Sequence, residues 1–151
     1  MPTIQVFVEN PAGSSVKHHH NEETFELVRV EQVSGAYPYP YGFIPGTRGP
    51  DGDCVDCFVI TDRPLRTGDL VDCEPIALME QWEAGLVDNN MLAVPAGEVV
   101  PDLAPVIPVL TRGILELFTG MPGRETAVGR FLPAEDAVAY LERFMLRGSG
   151  A

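Results

Sequence analysis

The chain is short of basic residues, of cysteine and of long apolar runs, and each shortage narrows the field. Only 10 lysines and arginines stand against 22 aspartates and glutamates, a formal net charge of −12. Such a balance argues against a nucleic acid or an anionic membrane as the main partner. An anionic small molecule stays open, because a bound divalent ion reverses the sign of a local pocket. No apolar run approaches the roughly 20 residues of a membrane span and no charged-then-apolar segment opens the chain, so a cytoplasmic protein is expected. Three cysteines, Cys54, Cys57 and Cys73, are an odd number and do not make a disulfide framework. The Cys54-x-x-Cys57 spacing has no second pair or following helix to make it a redox or zinc motif. Both residues read as small hydrophobes in the strand that begins an apolar run. What is left is one domain's worth of chain: 151 residues, 45% hydrophobic, enough for a single core over residues 1–151.

What the chain does have is a knot of acid. Asp51-Gly-Asp53-Cys-Val-Asp56 puts three carboxylates within six residues, at the entrance to the apolar run 57–60. Carboxylates this close repel each other and are poorly tolerated together unless a cation sits among them. Asp-Gly forms a turn, and Gly52 takes backbone angles closed to other residues, so Asp51 and Asp53 can fold back toward Asp56. Hard oxygen donors without histidine or cysteine suit Mg²⁺ or Mn²⁺. The plain alternative is a solvated turn leading into a strand with one outward aspartate.

Periodicity predicts strands over residues 3–9, 25–31, 55–60, 70–79 and 91–94. The second of these places Phe25, Leu27 and Arg29 on one face; Arg29 then points to solvent or meets an anion in a pocket. His18, His19 and His20 read as a surface loop or strand, in which at most two could share one ion, since neighbours on a strand face opposite ways. Pro38 and Pro40 make residues 37–43 a stiff, non-helical strap. A turn is expected at 66–69 and a polar loop at 80–89, with Glu83 and Asp88 in it. After a change of period, Leu110, Ile114, Leu117 and Phe118 form one face of a helix over 108–118. A loop with glycine and proline leads to a second helix starting at Pro133. Its apolar stripe is Val138, Leu141, Phe144 and Met145, and it ends at Arg147-Gly148. Five or six short strands followed by two helices predict a small antiparallel barrel with helices at one side.

Tyr37-Pro-x-x-Tyr41-Gly-Phe, ten residues from Tyr41 to Asp51, and Asp-Gly-Asp-x-x-Asp together resemble the soluble family I inorganic pyrophosphatases. The likeness extends back to Glu9-x-Pro-Ala-Gly, with Lys17 eight residues on and Arg29 eight before Tyr37, and forward to Leu92-Ala-Val-Pro95. It covers residues 3 to 95, and the helical tail in outline. The resemblance implies an α+β, mainly β fold: a five-stranded barrel of the OB type with two C-terminal helices. It implies Mg²⁺-dependent hydrolysis of inorganic pyrophosphate to two phosphates, with Mn²⁺ or Zn²⁺ as alternative ions. It also implies a homo-oligomer, since the bacterial members are hexamers. Asp51, Asp56 and Asp88 match the positions that grip metal there, and Glu9 an outer metal-shell carboxylate. Glu83 matches a further metal-loop carboxylate when counted back from Asp88, while counting forward puts Trp82 there. Asp53 matches the carboxylate that orients or deprotonates the attacking water, and Tyr41 a tyrosine that supports it. Lys17 and Arg29 match cations on the phosphate oxygens.

The departures from that pattern are specific. His18-His19 stands where the family has Tyr-Glu, and Asn90 where it has a lysine. The tail's tyrosine–lysine phosphate clamp is absent from residues 119–122, with Arg124 and Arg130 the nearest substitutes. Two alternatives follow. One is a hydrolase of another phosphoanhydride, with Trp82 stacked on a base or ring. The other is a catalytically weak homologue that binds metal or a phosphate ester, or serves as a structural subunit.

Overall fold

A computed structural model describes residues 2–146. The elements in chain order are β1 (Ile4–Asn10), β2 (Val16–His20), β3 (Leu27–Gln32), β4 (Tyr41–Phe43), β5 (Asp56–Val59), β6 (Leu70–Glu83), β7 (Leu86–Val87), β8 (Asn90–Pro95), α1 (Val106–Leu117), β9 (Thr126–Pro133) and α2 (Ala134–Phe144). Strands β1, β4, β5, β8 and β6 pair in that order, and β6 pairs back with β1. Five strands therefore close on themselves, which removes the exposed sheet edges that an open sheet has to protect. This is the small OB-type barrel with two C-terminal helices that the resemblance implies, although it is not wholly antiparallel as the strand pattern predicts, since β5 and β8 run parallel.

Why the central strands read as unbroken apolar runs is clear from the two cores. The β5–β8 pair is parallel, and such a pair is covered on both faces. Cys57, Val59, Met91 and Ala93 face one core, closed by Ala137 and Leu141 of α2. Phe58, Leu92 and Val94 face the other, closed by Leu110, Ile114 and Leu117 of α1. Strand β6 is long enough to serve several partners because it bends. One irregularity falls between Pro75 and Ala77, where a proline that cannot donate to the ladder is tolerated. Between β1 and β4 the backbones approach so closely that a Cβ on Gly42 would overlap the Phe7 carbonyl oxygen. That contact explains the glycine of Tyr41-Gly-Phe43.

Several expectations need correcting. Phe25 is not in a strand: it sits in a turn at φ 64°, stacked on Phe7 with ring centroids 4.6 Å apart. It thereby pins the separate β2–β3 hairpin to the barrel. The polar loop at 80–89 is a hairpin instead, in which β6 continues to Glu83 and turns at Ala84-Gly85, both at positive φ. That turn geometry suits the twist of a tight hairpin. The stretch before α2 contains β9, paired along β6. Cys54 lies before β5 rather than in it. On α2 the packed residues are Ala137, Tyr140, Leu141 and Phe144, whereas Met145 lies past the helix and is exposed. The helix ends at Phe144, earlier than the expected end at Arg147-Gly148, and those two residues lie outside the described ones.

Candidate active site

At the barrel mouth, a cavity of about 700 Å³ is walled by the β2–β3 hairpin on one side and by the residue 48–56 turn and β6 on the other. The acidic turn forms half of the expected fold-back: Asp51 turns toward Asp56, whereas Asp53 stays outside the cluster. Gly52 has φ 89°, and the Asp53 N–H donates to Asp51 Oδ1 at 3.0 Å, which folds the Asp51 carboxylate back. Asp56 opens β5, and Asp88 precedes β8, the parallel neighbour of β5. Together Asp51, Asp56 and Asp88 offer carboxylate oxygens all within 4.8 Å of one another.

Burial and mutual repulsion disfavour the charged forms at this cluster. Burial pushes Asp56 well above the ordinary carboxylate range, and the neighbouring Asp88 adds to the shift. Burial, then Asp51, pushes Asp88 up to about 6. Three crowded carboxylates with no histidine or cysteine among them are the donor set of a hard divalent cation, so the residues present fit one.

The other residues singled out from sequence also line this cavity: Glu9, Lys17, Arg29, Tyr41, Asp53 and Glu83. Asp53 stands outside the tight three-carboxylate group, exposed on its rim. Glu9 is buried and accepts the His20 backbone N–H at 3.1 Å; burial pushes it up to about 7. Tyr41 is stacked on Tyr37. Burial and then Asp56 raise its phenol far above its ordinary value, so it stays neutral and can donate. Lys17, the chain's one lysine, extends over the Tyr41 and Phe118 rings at 5.8 and 5.5 Å. Strand alternation sends Glu83 and Trp82 to opposite sides of β6. Glu83 faces the cavity, while the Trp82 indole packs over Gly129 of β9.

Each of the three histidines has a different side-chain partner. His18 Nδ1 lies 2.8 Å from Asn10 Oδ1, His19 Nε2 3.2 Å from Glu31 Oε1, and His20 Nδ1 3.2 Å from Glu9 Oε2. Burial lowers the pKa of all three.

Sequence reasoning left some contributors without a place. Arg124, just before β9, reaches into the cavity and joins Glu83 at 3.0 Å and Glu31 at 2.9 Å. Arg130 instead pairs with Glu80 on the exposed side of β9. Arg48 and Glu22 also line the cavity, and Glu22 accepts the Cys54 N–H at 2.9 Å. Tyr140 of α2 stands behind the acidic cluster, its phenol pushed up to about 12 by burial and the carboxylates. Behind the site lies a pocket of about 20 Å³, the size of one water. It is lined by Tyr37 and Asn90, whose hydroxyl and Oδ1 have no partner among the described residues. Asn90 Nδ2 donates to Gln81 Oε1 at 2.7 Å, which leaves Oδ1 as the unpaired acceptor.

A closed five-stranded barrel with a carboxylate cluster facing several cations across its mouth is the architecture of a metal-dependent handler of phosphate groups. The family profile described as inorganic pyrophosphatase matches residues 6–139, and the chain belongs to that family. A protein named inorganic pyrophosphatase from Aeropyrum pernix is 32% identical over 161 aligned positions, 98% of this chain and 91% of that protein. Another of that name from Nanoarchaeum equitans is 32% identical over 150, covering 93% and 94%. Among solved structures, an inorganic pyrophosphatase from Coxiella burnetii superposes with a TM-score of 0.86 at 26% identity, covering 96% of this chain and 94% of that one.

Proposed function

We propose that the chain hydrolyses inorganic pyrophosphate to two phosphates with Mg²⁺, the activity that its relatives' names denote. The observation that carries this reading is that one cavity brings Asp51, Asp56 and Asp88 together with four cations, Lys17, Arg29, Arg48 and Arg124. When bound, divalent ions would neutralise the substrate's charge and supply an activated water for in-line attack. Asp51, Asp56 and Asp88 would hold them, and Glu83 and Glu9 would add charge from the cavity walls. Mg²⁺ suits an all-oxygen donor set better than Zn²⁺, which favours nitrogen and sulfur.

Asp53, free on the rim, orients the attacking water and takes its proton. Tyr41, a neutral phenol, donates a hydrogen bond into the same network. Lys17 and Arg29 bind phosphate oxygens. Residues 1–151 act as one domain, because both helices close cores that the barrel strands share. The chain is proposed to self-associate as a homohexamer, on the exposed apolar side chains of β3, Leu27, Val28 and Val30. A substrate carrying a base is disfavoured because Trp82, the ring that would stack on it, is turned onto β9.

Phosphate release from pyrophosphate with Mg²⁺, set beside release from nucleoside triphosphates, tests this. The expected result is Mg²⁺-dependent release from pyrophosphate far above that from nucleotides, by material whose light-scattering mass is several times that of one chain. Release no greater than a metal-only blank would remove the enzyme reading, and a monomeric mass the assembly.

A further inference from the structure

We infer that Arg124 is a phosphate-binding residue held in reserve by Glu83 and handed over to the substrate when metal takes Glu83. This rests on the pyrophosphatase reading and adds to it a residue and a coupling.

Arg124 has two carboxylate partners and one aromatic support. Its Nε donates to Glu83 Oε1 at 3.0 Å, and its Nη1 donates to both Glu31 oxygens at 3.1 and 2.9 Å. The guanidinium carbon lies 4.0 Å from the Phe118 ring centroid. Of the five N–H donors of an arginine, those on Nη2 have no hydrogen-bond partner among the described residues, although the side chain lines the cavity. The two carboxylates are not equivalent. Glu31 is itself tied to His19 at 3.2 Å and is not part of the cavity wall. Glu83 is part of it, on the strand that leads to Asp88.

A divalent cation entering the cavity competes with Arg124 for Glu83, since one carboxylate cannot neutralise both fully. Once Glu83 turns to the metal, Nε joins Nη2 as a free donor. Glu31 and Phe118 keep the guanidinium plane in position at the cavity edge. A planar pair of N–H donors matches two phosphate oxygens, so the site gains a phosphate ligand only after it gains metal. Binding of metal and of phosphate then favour each other, as linkage requires in both directions.

Calorimetric titrations of Mg²⁺ and of inorganic phosphate, each with and without the other, test the hand-over. In Arg124→Gln, Mg²⁺ alone should bind several times more tightly than to wild type, because Glu83 has lost its competitor. Phosphate at saturating Mg²⁺ should bind about tenfold more weakly, the size of one lost charge-assisted contact. A merely structural role would weaken both, and that result, or phosphate binding left unchanged, overturns the inference. Glu83→Gln gives the converse, freeing Arg124 without metal, so phosphate should bind more tightly in the absence of Mg²⁺. No gain there also overturns it. If wild type binds no Mg²⁺ and releases no phosphate from pyrophosphate, the pyrophosphatase reading itself has failed. If wild type does both and neither variant shifts as stated, the hand-over alone has failed.

Discussion

Glu9 and Asp88 store the pH dependence of this site. Their carboxyls are pushed up from 4.5 to about 7 and from 3.8 to about 6, chiefly by burial. In the fold each keeps a proton that the unfolded chain has released, so its stabilising contribution is full below the unfolded value and lost as pH rises through the folded one. The histidines at 18–20 act in the opposite sense, because burial lowers their pKa and the unfolded chain takes up their protons first. Comparing metal with no metal separates the two effects. The gain in Tm from excess Mg²⁺ over a chelator should be small near pH 4, grow as protons leave Asp88 and Glu9, and level off above about 7. Thermal scans across that range check it, and a gain that shrinks as pH rises would contradict it. Much of this chemistry is legible in the sequence because its pieces are local. Asp51, Asp53 and Asp56 lie within six residues of chain, and a single glycine lets Asp51 fold back toward Asp56. Arg124 and Tyr140 carry no such signal. They reach the site through tertiary contact alone, from positions that lie far from the acidic turn in sequence.

Strand β4 is three residues long, yet it joins the Tyr37–Pro40 strap to the barrel and holds Tyr41 at the cavity. Its glycine faces the Phe7 carbonyl with no room for a side chain. Gly42→Ala should therefore cost about 1–3 kcal/mol or more through overpacking, read as a lower midpoint in urea with the slope unchanged. An unaltered midpoint would mean that β1 and β4 separate easily. Where alternation is strict or both faces are buried, as in β1, β5 and β8, the elements follow from the residues. Strand β9 escapes because Gly129 interrupts it to make room for Trp82, and Arg130 faces outward to Glu80. The end of β6 escapes for a related reason. Glu80 and Glu83 are polar and read as loop, but each is paired to an arginine that only the fold brings near.

Closure of five strands leaves a barrel with one functional mouth, and the net charge of −12 makes that mouth unwelcoming to a polyanion until cations arrive. On the proposed function, metal would serve both the chemistry and the entry of substrate. The helices cover the two cores, and the hairpin pinned by Phe25 brings Lys17 and Arg29 to face the carboxylates. The family and barrel were readable from the tyrosine strap and the aspartate turn. The place of Arg124 in the cavity was not, because it lies beyond the segment where the family motif would put a phosphate-binding cation. The decisive measurement is phosphate release from pyrophosphate across a Mg²⁺ titration, for wild type, Asp53→Asn and Asp56→Asn. An amide at 53 cannot take the proton of the attacking water, so that variant should lose about 10²–10⁴ in rate at every Mg²⁺ concentration. An amide at 56 removes a charge from the metal cluster, so raising Mg²⁺ should recover part of that variant's activity. If the two variants respond to Mg²⁺ alike, or if wild type never rises above the metal-only blank, the proposed assignment of metal and proton to these carboxylates is wrong.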